Sequence, residues 1–221
     1  MSKLIFITGI DTGVGKTYAT GIIAKGLMDM GLKAITMKTI QTGCDNFSED
    51  IIEHRKLSGS ELTSYDLNKI TSPYIFKFPA SPHLSAKLEN KHIDINVIVK
   101  NIEILQNHFD YILIEGAGGL MVPITDDILM IDLIQMINAD TILVSTAKLG
   151  SINHTLLSIE AMIRRNIKIK AILYNLFFSS DQTITDNTFD TIKSFHREIP
   201  IFKLSKEIEA PFFSVISDKK R

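Results

Sequence analysis

The stretch Ile10-Asp11-Thr12-Gly13-Val14-Gly15-Lys16-Thr17 constrains this chain more than any other. It follows the apolar run Leu4-Ile5-Phe6-Ile7 and opens a helical pattern that begins near Lys16. A strand, a glycine loop and a helix, in that order, turn successive backbone N–H groups and the positive end of a helix toward one point, where an anion is held. Gly13, Val14 and Gly15 would pass their backbone around phosphate groups, Lys16 would add a mobile charge for the β- and γ-phosphates, and Thr17 a hydroxyl for Mg²⁺. The usual spacing asks for glycine at position 10; here it is Gly9, one residue early. The context of strand before and helix after still predicts a nucleotide site.

With 221 residues, one domain over 1–221 is expected, large enough to bury a substantial core. A hydrophobic content of 45% against 22% charged residues decides against disorder. Lys and Arg number 24 and Asp and Glu 25, which gives no electrostatic case for nucleic acid or an anionic membrane as partner. The basic tail Lys219-Lys220-Arg221 is expected to be a solvated end. Cys44 stands alone, so neither an internal disulfide nor a cysteine zinc site is expected. With no secretory leader pattern, a cytoplasmic location is expected.

Short apolar runs alternate with amphipathic ones. Strands are predicted at Lys3–Thr8, Lys33–Thr39, Tyr111–Glu115, Thr141–Thr146, Ile169–Tyr174 and Ile201–Leu204. Most are continuous in Ile, Leu and Val, as in strands covered on both faces. Helices are predicted at Lys16–Met30, Glu49–Leu57, Asp94–His108, Ile131–Ile137, Ile152–Arg165 and Asp186–Glu198, with Gly31 stopping the first. Such alternation predicts an α/β fold, a parallel sheet with helices on both faces. Its ligands bind beyond the carboxyl ends of the strands. There the sequence places Gly15-Lys16-Thr17, then Lys38 and Thr42, then Glu115 through Gly119, then Lys148-Leu149-Gly150, then Asn175. Thr71–Leu84, with Pro73, Pro79 and Pro82 between aromatic residues, is expected to be an extended loop, either a substrate wall or a structural connector.

Several blocks are spread along nearly the whole chain. They are Thr8 to Thr17, Lys38 with Thr42-Gly43, Pro73-Tyr74-Ile75-Phe76, Ala80-Ser81-Pro82-His83, Glu115-Gly116-Ala117-Gly118-Gly119, and Lys148-Leu149-Gly150-Ser151-Ile152-Asn153-His154. In these blocks the chain resembles the dethiobiotin synthetases. The resemblance implies a three-layer P-loop NTPase fold and an ATP- and Mg²⁺-dependent ligase of biotin biosynthesis. Its substrates would be 7,8-diaminononanoate, CO₂ and ATP. One amine takes up CO₂ as a carbamate, a carbamate oxygen attacks the γ-phosphorus, and the second amine closes a cyclic urea. The products are dethiobiotin, ADP and phosphate.

The physical difficulty is to bring two anions together, since like unit charges ~4 Å apart repel by ~1 kcal/mol even in water. The resemblance gives Lys16 to the phosphates and Lys38 to the bridge between carbamate and γ-phosphate. It gives Thr17, Asp50 and Glu115 to the metal, with Glu49 and Asp45 competing for the place of Asp50. An acidic residue there also suits a helix N-terminus with no metal at all. Gly116, Ala117 and Gly118 would lie along the nucleotide, and Asn175 would meet adenine. Thr42 holds a serine position against the carbamate. Gly150, Ser151, Ile152 and Asn153 would bind the substrate carboxylate by their backbone, across the interface of a homodimer.

The chain departs from the family at Gly13, often glutamate, at Leu176, usually aspartate, and after Leu204, where only a guess points to Glu207. Cys44 is expected to be a bystander thiol, His83 and His154 hydrogen-bonding or packing residues, and Phe177-Phe178 core or pocket wall. Three alternatives are a partitioning-type P-loop ATPase switch, a non-catalytic nucleotide-binding module, and an amidotransferase synthetase domain. The first would carry a lysine where Asp11 stands; the second is opposed by Lys16, Thr17, Lys38 and Glu115; the third needs a glutaminase domain for which the chain has no room.

Overall fold

The continuous Ile, Leu and Val runs become the middle of a six-stranded sheet, every strand parallel to its neighbours. The structure is a computed structural model that describes residues 2–179 and 181–217; the basic tail at 219–221 lies outside them. In chain order the elements are β1 (Lys3–Gly9), α1 (Lys16–Asp29), β2 (Ala34–Lys38), β3 (Ile40–Thr42), α2 (Glu49–Ser58), α3 (Ser64–Leu67), β4 (Tyr74–Phe76), α4 (Pro82–Leu88) and α5 (Ile95–Gln106). Then come β5 (Tyr111–Gly119), α6 (Met130–Met136), β6 (Asp140–Thr146), α7 (Ser151–Arg164), β7 (Ile169–Asn175), a 3₁₀ turn (Leu176–Phe178), α8 (Gln182–Phe195), β8 (Ile201–Leu204) and α9 (Pro211–Ser217).

The sheet order is β2-β5-β1-β6-β7-β8. Beside β1 the order reverses, with β5 on one flank and β6 on the other, and the glycine loop leaves at that switch point. Alternate side chains along each strand feed two cores. Ile5, Ile7, Leu113, Ile142 and Val144 pack on α1 and α9 through Ala19, Ile23, Leu27 and Phe212. Phe6, Ile112, Ile114 and Leu143 pack on α5, α6 and α7 through Ile98, Ile102, Ile131, Leu133 and Ile159. Helices thus cover both faces, as the alternation predicts.

Gly31, at φ +75°, ends α1 as expected, its N–H donating to Met28 O. Most boundaries shift by a residue or two and β5 runs on to Gly119, while two larger differences have local reasons. The helix expected from Asp186 starts at Gln182, because Asp181 caps it by accepting from the Ile184 N–H. The stretch 71–84 is not one loop. Tyr74–Phe76 pairs in parallel with Ile40–Thr42 as a second, two-stranded sheet, and Pro82 stands in the first turn of α4, where its missing N–H costs nothing. The Glu89 carboxylate accepts the Lys77 and Phe78 N–H groups and closes this excursion.

Candidate active site

The glycine loop takes a shape that side chains resist. Gly13 and Gly15 have φ of +70° and +98°. A Cβ at Gly15 would also meet Asn175 Nδ2 at 2.3 Å. Gly15 caps α1 without a side-chain hydrogen bond, so the first N–H groups of the helix remain available to an anion. Lys16 folds back over the loop, its Nζ donating to Asp11 O at 2.8 Å. Burial, then the neighbouring Lys38, lower its pKa to about 8. A bound polyphosphate would relieve both effects.

Two strands and one helix supply the rest. Lys38 ends β2, Glu115 lies in β5, and Asp50 sits in the first turn of α2, whose start is set by Ser48 accepting from Ile51 N. Lys38 Nζ lies 2.6 Å from Asp50 Oδ2, 2.8 Å from Glu115 Oε1 and 3.2 Å from Gly116 O. The Thr17 hydroxyl is 3.0 Å from Glu115 Oε1 and 3.2 Å from Asp50 Oδ1. Burial works to lower the pKa of Lys38, but Glu115 and Asp50 outweigh it and hold the ammonium up. Burial works to raise that of Glu115, yet Lys38 and His54 keep the carboxyl far below the usual carboxylate range. Asp45 points away to Lys77 at 3.2 Å and Glu49 is exposed outside the cleft, so of the three it is Asp50 that joins the cluster. A cleft of about 830 Å³ opens over these groups, lined also by Thr42, Ala117, Gly118 and the 79–82 turn. The segment between Thr71 and Leu84 therefore contributes both a connector strand and a wall.

Two carboxylates and a hydroxyl on one side of the cleft form a hard-oxygen donor set suited to Mg²⁺. Among the described residues no group of three or more His, Cys, Asp or Glu could hold a metal by itself. Mg²⁺ needs no such cage, because it takes one or two carboxylates and leaves its other positions to phosphate and water.

Other predicted residues fall in different places. Asn175 is buried, its Nδ2 donating to Val14 O at 2.9 Å and its Oδ1 accepting from Phe177 N at 3.0 Å. Here it clamps the glycine loop to the end of β7. Gly150, Ser151, Ile152 and Asn153 start α7 outside the cleft, and Gly150 at φ +93° caps the helix without a side-chain bond. The Ser151 hydroxyl is engaged with Thr146 Oγ1 at 3.0 Å and its N–H donates to Lys148 O at 3.0 Å, so neither donor of Ser151 is free. A second hollow of about 820 Å³ lies beside α7, lined by Asp11, Met121, His154 and Leu157, and shares Thr12 and Val122 with the cleft.

The Tyr18 hydroxyl donates to Lys206 O, tying α1 to the segment that holds Glu207. Phe177 is an exposed ring edge-on to Tyr18 at 5.1 Å, and the Lys148 ammonium lies 4.2 Å over the Phe178 ring, so neither is core. Cys44 donates to Phe47 O, and burial pushes its thiol up, as suits a bystander.

Two groups went unread in the sequence. His54 Nε2 lies 2.7 Å from Glu115 Oε2 in full burial. One helical turn separates it from Asp50, and that i, i+4 spacing is the signal that could have found it. Beside it, Arg55 meets Asp66 through two bonds of 3.0 and 2.8 Å and Thr36 Oγ1 at 2.9 Å, binding α2 to α3 and β2.

A glycine loop at the switch point of a parallel sheet, with a lysine and a hydroxyl opening the helix and acidic groups opposite, defines a P-loop NTPase. Solved structures agree on the fold. The MinD–MinC cell division complex of Aquifex aeolicus matches at a TM-score of 0.59 over 93% of this chain and 82% of that one, with 18% identity. The pNOB8 ParA protein bound to nonspecific DNA matches at 0.55 over 99% and 82%, with 17% identity. At such identity the likeness concerns the fold alone. A family model described as an AAA domain matches residues 3–205.

Among curated proteins, the ATP-dependent dethiobiotin synthetase BioD 2 of Haemophilus influenzae is 53% identical over 175 residues, 79% of this chain and 92% of the relative. The synthetase of Chlorobaculum tepidum is 48% identical over 190 residues, 86% and 80%. That of Methanocaldococcus jannaschii is 34% identical over 220 residues, 96% and 100%. The chain belongs to the ATP-dependent dethiobiotin synthetase family.

Proposed function

We propose that this enzyme carboxylates 7,8-diaminononanoate with CO₂ and closes the ring to dethiobiotin at the cost of one ATP. The observation that carries the reading is the convergence of Lys16, Lys38, Asp50 and Glu115 on one cleft, in a chain of this family. Two ammonium groups face the place where a carbamate must approach a triphosphate, and low exposure makes their field count for more than it would in water.

In this reading the substrate carbamate lies between Lys38 and Thr42, with its oxygen toward the γ-phosphorus. That oxygen attacks, the β,γ-bridging oxygen leaves with ADP, and a carbamic–phosphoric anhydride remains. The second amine attacks the anhydride carbon, the C–O bond to phosphate breaks, and the amine's proton departs as the cyclic urea closes. No strong base is needed for the first step, because the carbamate is already an anion. Lys16 and the loop N–H groups hold the β- and γ-phosphates. Thr17, Asp50 and Glu115 would hold Mg²⁺, which when bound neutralises phosphate charge. Gly116, Ala117 and Gly118 border the nucleotide, and Asn175 would reach adenine with its remaining N–H.

The carboxylate end of the substrate would be taken by the backbone of Gly150–Asn153 from a second copy of the chain, where the Ser151 N–H is already given to Lys148 O at 3.0 Å. This is supported by their position outside the cleft of their own chain. It is supported too by the apolar surface beside them, where Leu149 is 94% exposed and Met121 and Leu157 more than half. A homodimer would cover that surface and complete each cleft. Nucleic acid and membrane have no part in this reading. Among the described residues no helix is long and apolar enough to cross a membrane. The reaction would take place in the cytoplasm.

Incubation with diaminononanoate, bicarbonate and Mg-ATP tests the function. Dethiobiotin should appear in equal amount to ADP and phosphate. Steady ATP hydrolysis with no ring product under saturating substrates would exclude the function and favour an ATPase switch.

A further inference from the structure

We propose that His54 is a positioning residue for Glu115, fixing the carboxylate so that Oε1 faces Thr17 and Lys38, the two groups that Asp50 also meets. The inference rests on the role of Glu115 as a Mg²⁺ ligand and goes one shell beyond it. Glu115 divides its oxygens cleanly. Oε1 serves the cleft, with Lys38 at 2.8 Å and Thr17 at 3.0 Å, while Oε2 turns away from it and meets His54 Nε2 at 2.7 Å. Both side chains are at most 1% exposed, so no water shares the contact from bulk solvent.

The direction of the hydrogen bond follows from chemistry. An ionised carboxylate only accepts, so the proton in the contact belongs to Nε2. Nδ1 is buried with no partner, so Nε2 carries the ring's one polar contact. The imidazole is therefore oriented for one task. A glutamate's terminal torsion is broad and nearly two-fold, so a carboxylate held only through Oε1 can exchange or tilt its oxygens. The second bond removes that freedom.

The placement of His54 adds a further consequence. It lies one turn after Asp50 on α2, so one rigid helix carries a metal carboxylate and the group that orients the other. The helix is itself fixed at Ser48, which donates to Gln41 Oε1 at 2.8 Å, and at Arg55 through Asp66 and Thr36. Separation and orientation of the two carboxylates are thus set together before any ligand arrives. Groups that orient metal ligands in this way are worth ~10- to 100-fold in affinity.

The test uses Mn²⁺ as probe, with a non-hydrolysable ATP analogue and the full chain, read by electron paramagnetic resonance. His54→Leu keeps the volume and loses the donor, and should weaken Mn²⁺ binding ~10-fold or more. His54→Gln places an amide N–H at similar reach and should recover most of that loss. Leucine binding like wild type, or glutamine as weak as leucine, would overturn the proposal. Glu115→Gln separates the two levels: if it binds Mn²⁺ as wild type does, the metal role itself fails. If it weakens binding while His54→Leu does not, only the role of His54 fails. Should the leucine variant not fold, ¹⁵N-histidine NMR of the wild type still decides. A proton on Nε2 of His54 supports the proposal, and a proton on Nδ1 alone contradicts it.

Discussion

Replacing Lys38 with alanine should lower turnover by ~10²- to 10³-fold while nucleotide affinity changes little. The ammonium is buried between Asp50 and Glu115, and it is the positive group of β2 that faces the cleft across from Lys16. Nucleotide binding rests mainly on Lys16 and the loop backbone, which the substitution leaves intact. What Lys38 would add is charge where the carbamate and the γ-phosphate share electrons, a contribution felt in the transition state more than in the bound ground state. Removing it also leaves two ionised carboxylates without their shared counter-ion, so metal affinity should hold or rise as turnover falls. Single-turnover chemistry and calorimetry with a non-hydrolysable analogue measure the two separately. Turnover within a few-fold of wild type would remove Lys38 from the reaction. Equal losses in turnover and affinity would make it a binding group.

The second large effect is on stability and lies outside the cleft. Arg55→Ala should destabilise the fold by ~3–5 kcal/mol, because it strands a fully buried carboxylate. Asp66 has no exposure, and Arg55 satisfies both of its oxygens, helped by Thr71 and the Thr63 N–H. Burial alone would raise the Asp66 pKa; the bonds from Arg55 and Thr71 bring it below its ordinary 3.8. A carboxylate held low in the folded state stabilises at pH above its unfolded value, and that share is lost as pH falls through the folded value. Without Arg55, Asp66 would take up a proton readily. The gap between wild type and Arg55→Ala should therefore be widest at neutral pH and narrow in acid below ~pH 4. Urea unfolding at several pH values measures it. A gap under ~1 kcal/mol at pH 7 would mean the pair contributes no more than a surface salt bridge.

The sheet was legible because its strands are buried on both faces, which makes each a continuous apolar run such as Ile112-Leu113-Ile114. The parallel rule places ligands beyond the strand ends, and Lys16, Thr17, Lys38 and Glu115 do meet there; Asp50, which joins them, was named by the resemblance alone. Short elements escaped. β3 and β4 have three residues each, and their pairing comes from chain segments more than thirty residues apart, which local pattern cannot register. α3 is announced by Thr63 and Asp66 as a capping box, but it is a single turn and carries no hydrophobic period. Asp66 itself looks like a surface acid in sequence; its burial depends on Arg55, whose guanidinium reaches it from another helix. Asn175 shows the opposite case. Its position at a strand end was legible, whereas its bond to Val14 O depends on β7 lying two strands from β1.

The central claim is that a carbamate oxygen attacks the γ-phosphorus of ATP in the cleft between Lys16 and Lys38. Oxygen transfer tests it most directly. With ¹⁸O-labelled CO₂ and a single turnover faster than exchange with water, the released phosphate should carry one labelled oxygen for each ring closed. Phosphate free of label, formed alongside dethiobiotin, would contradict that attack.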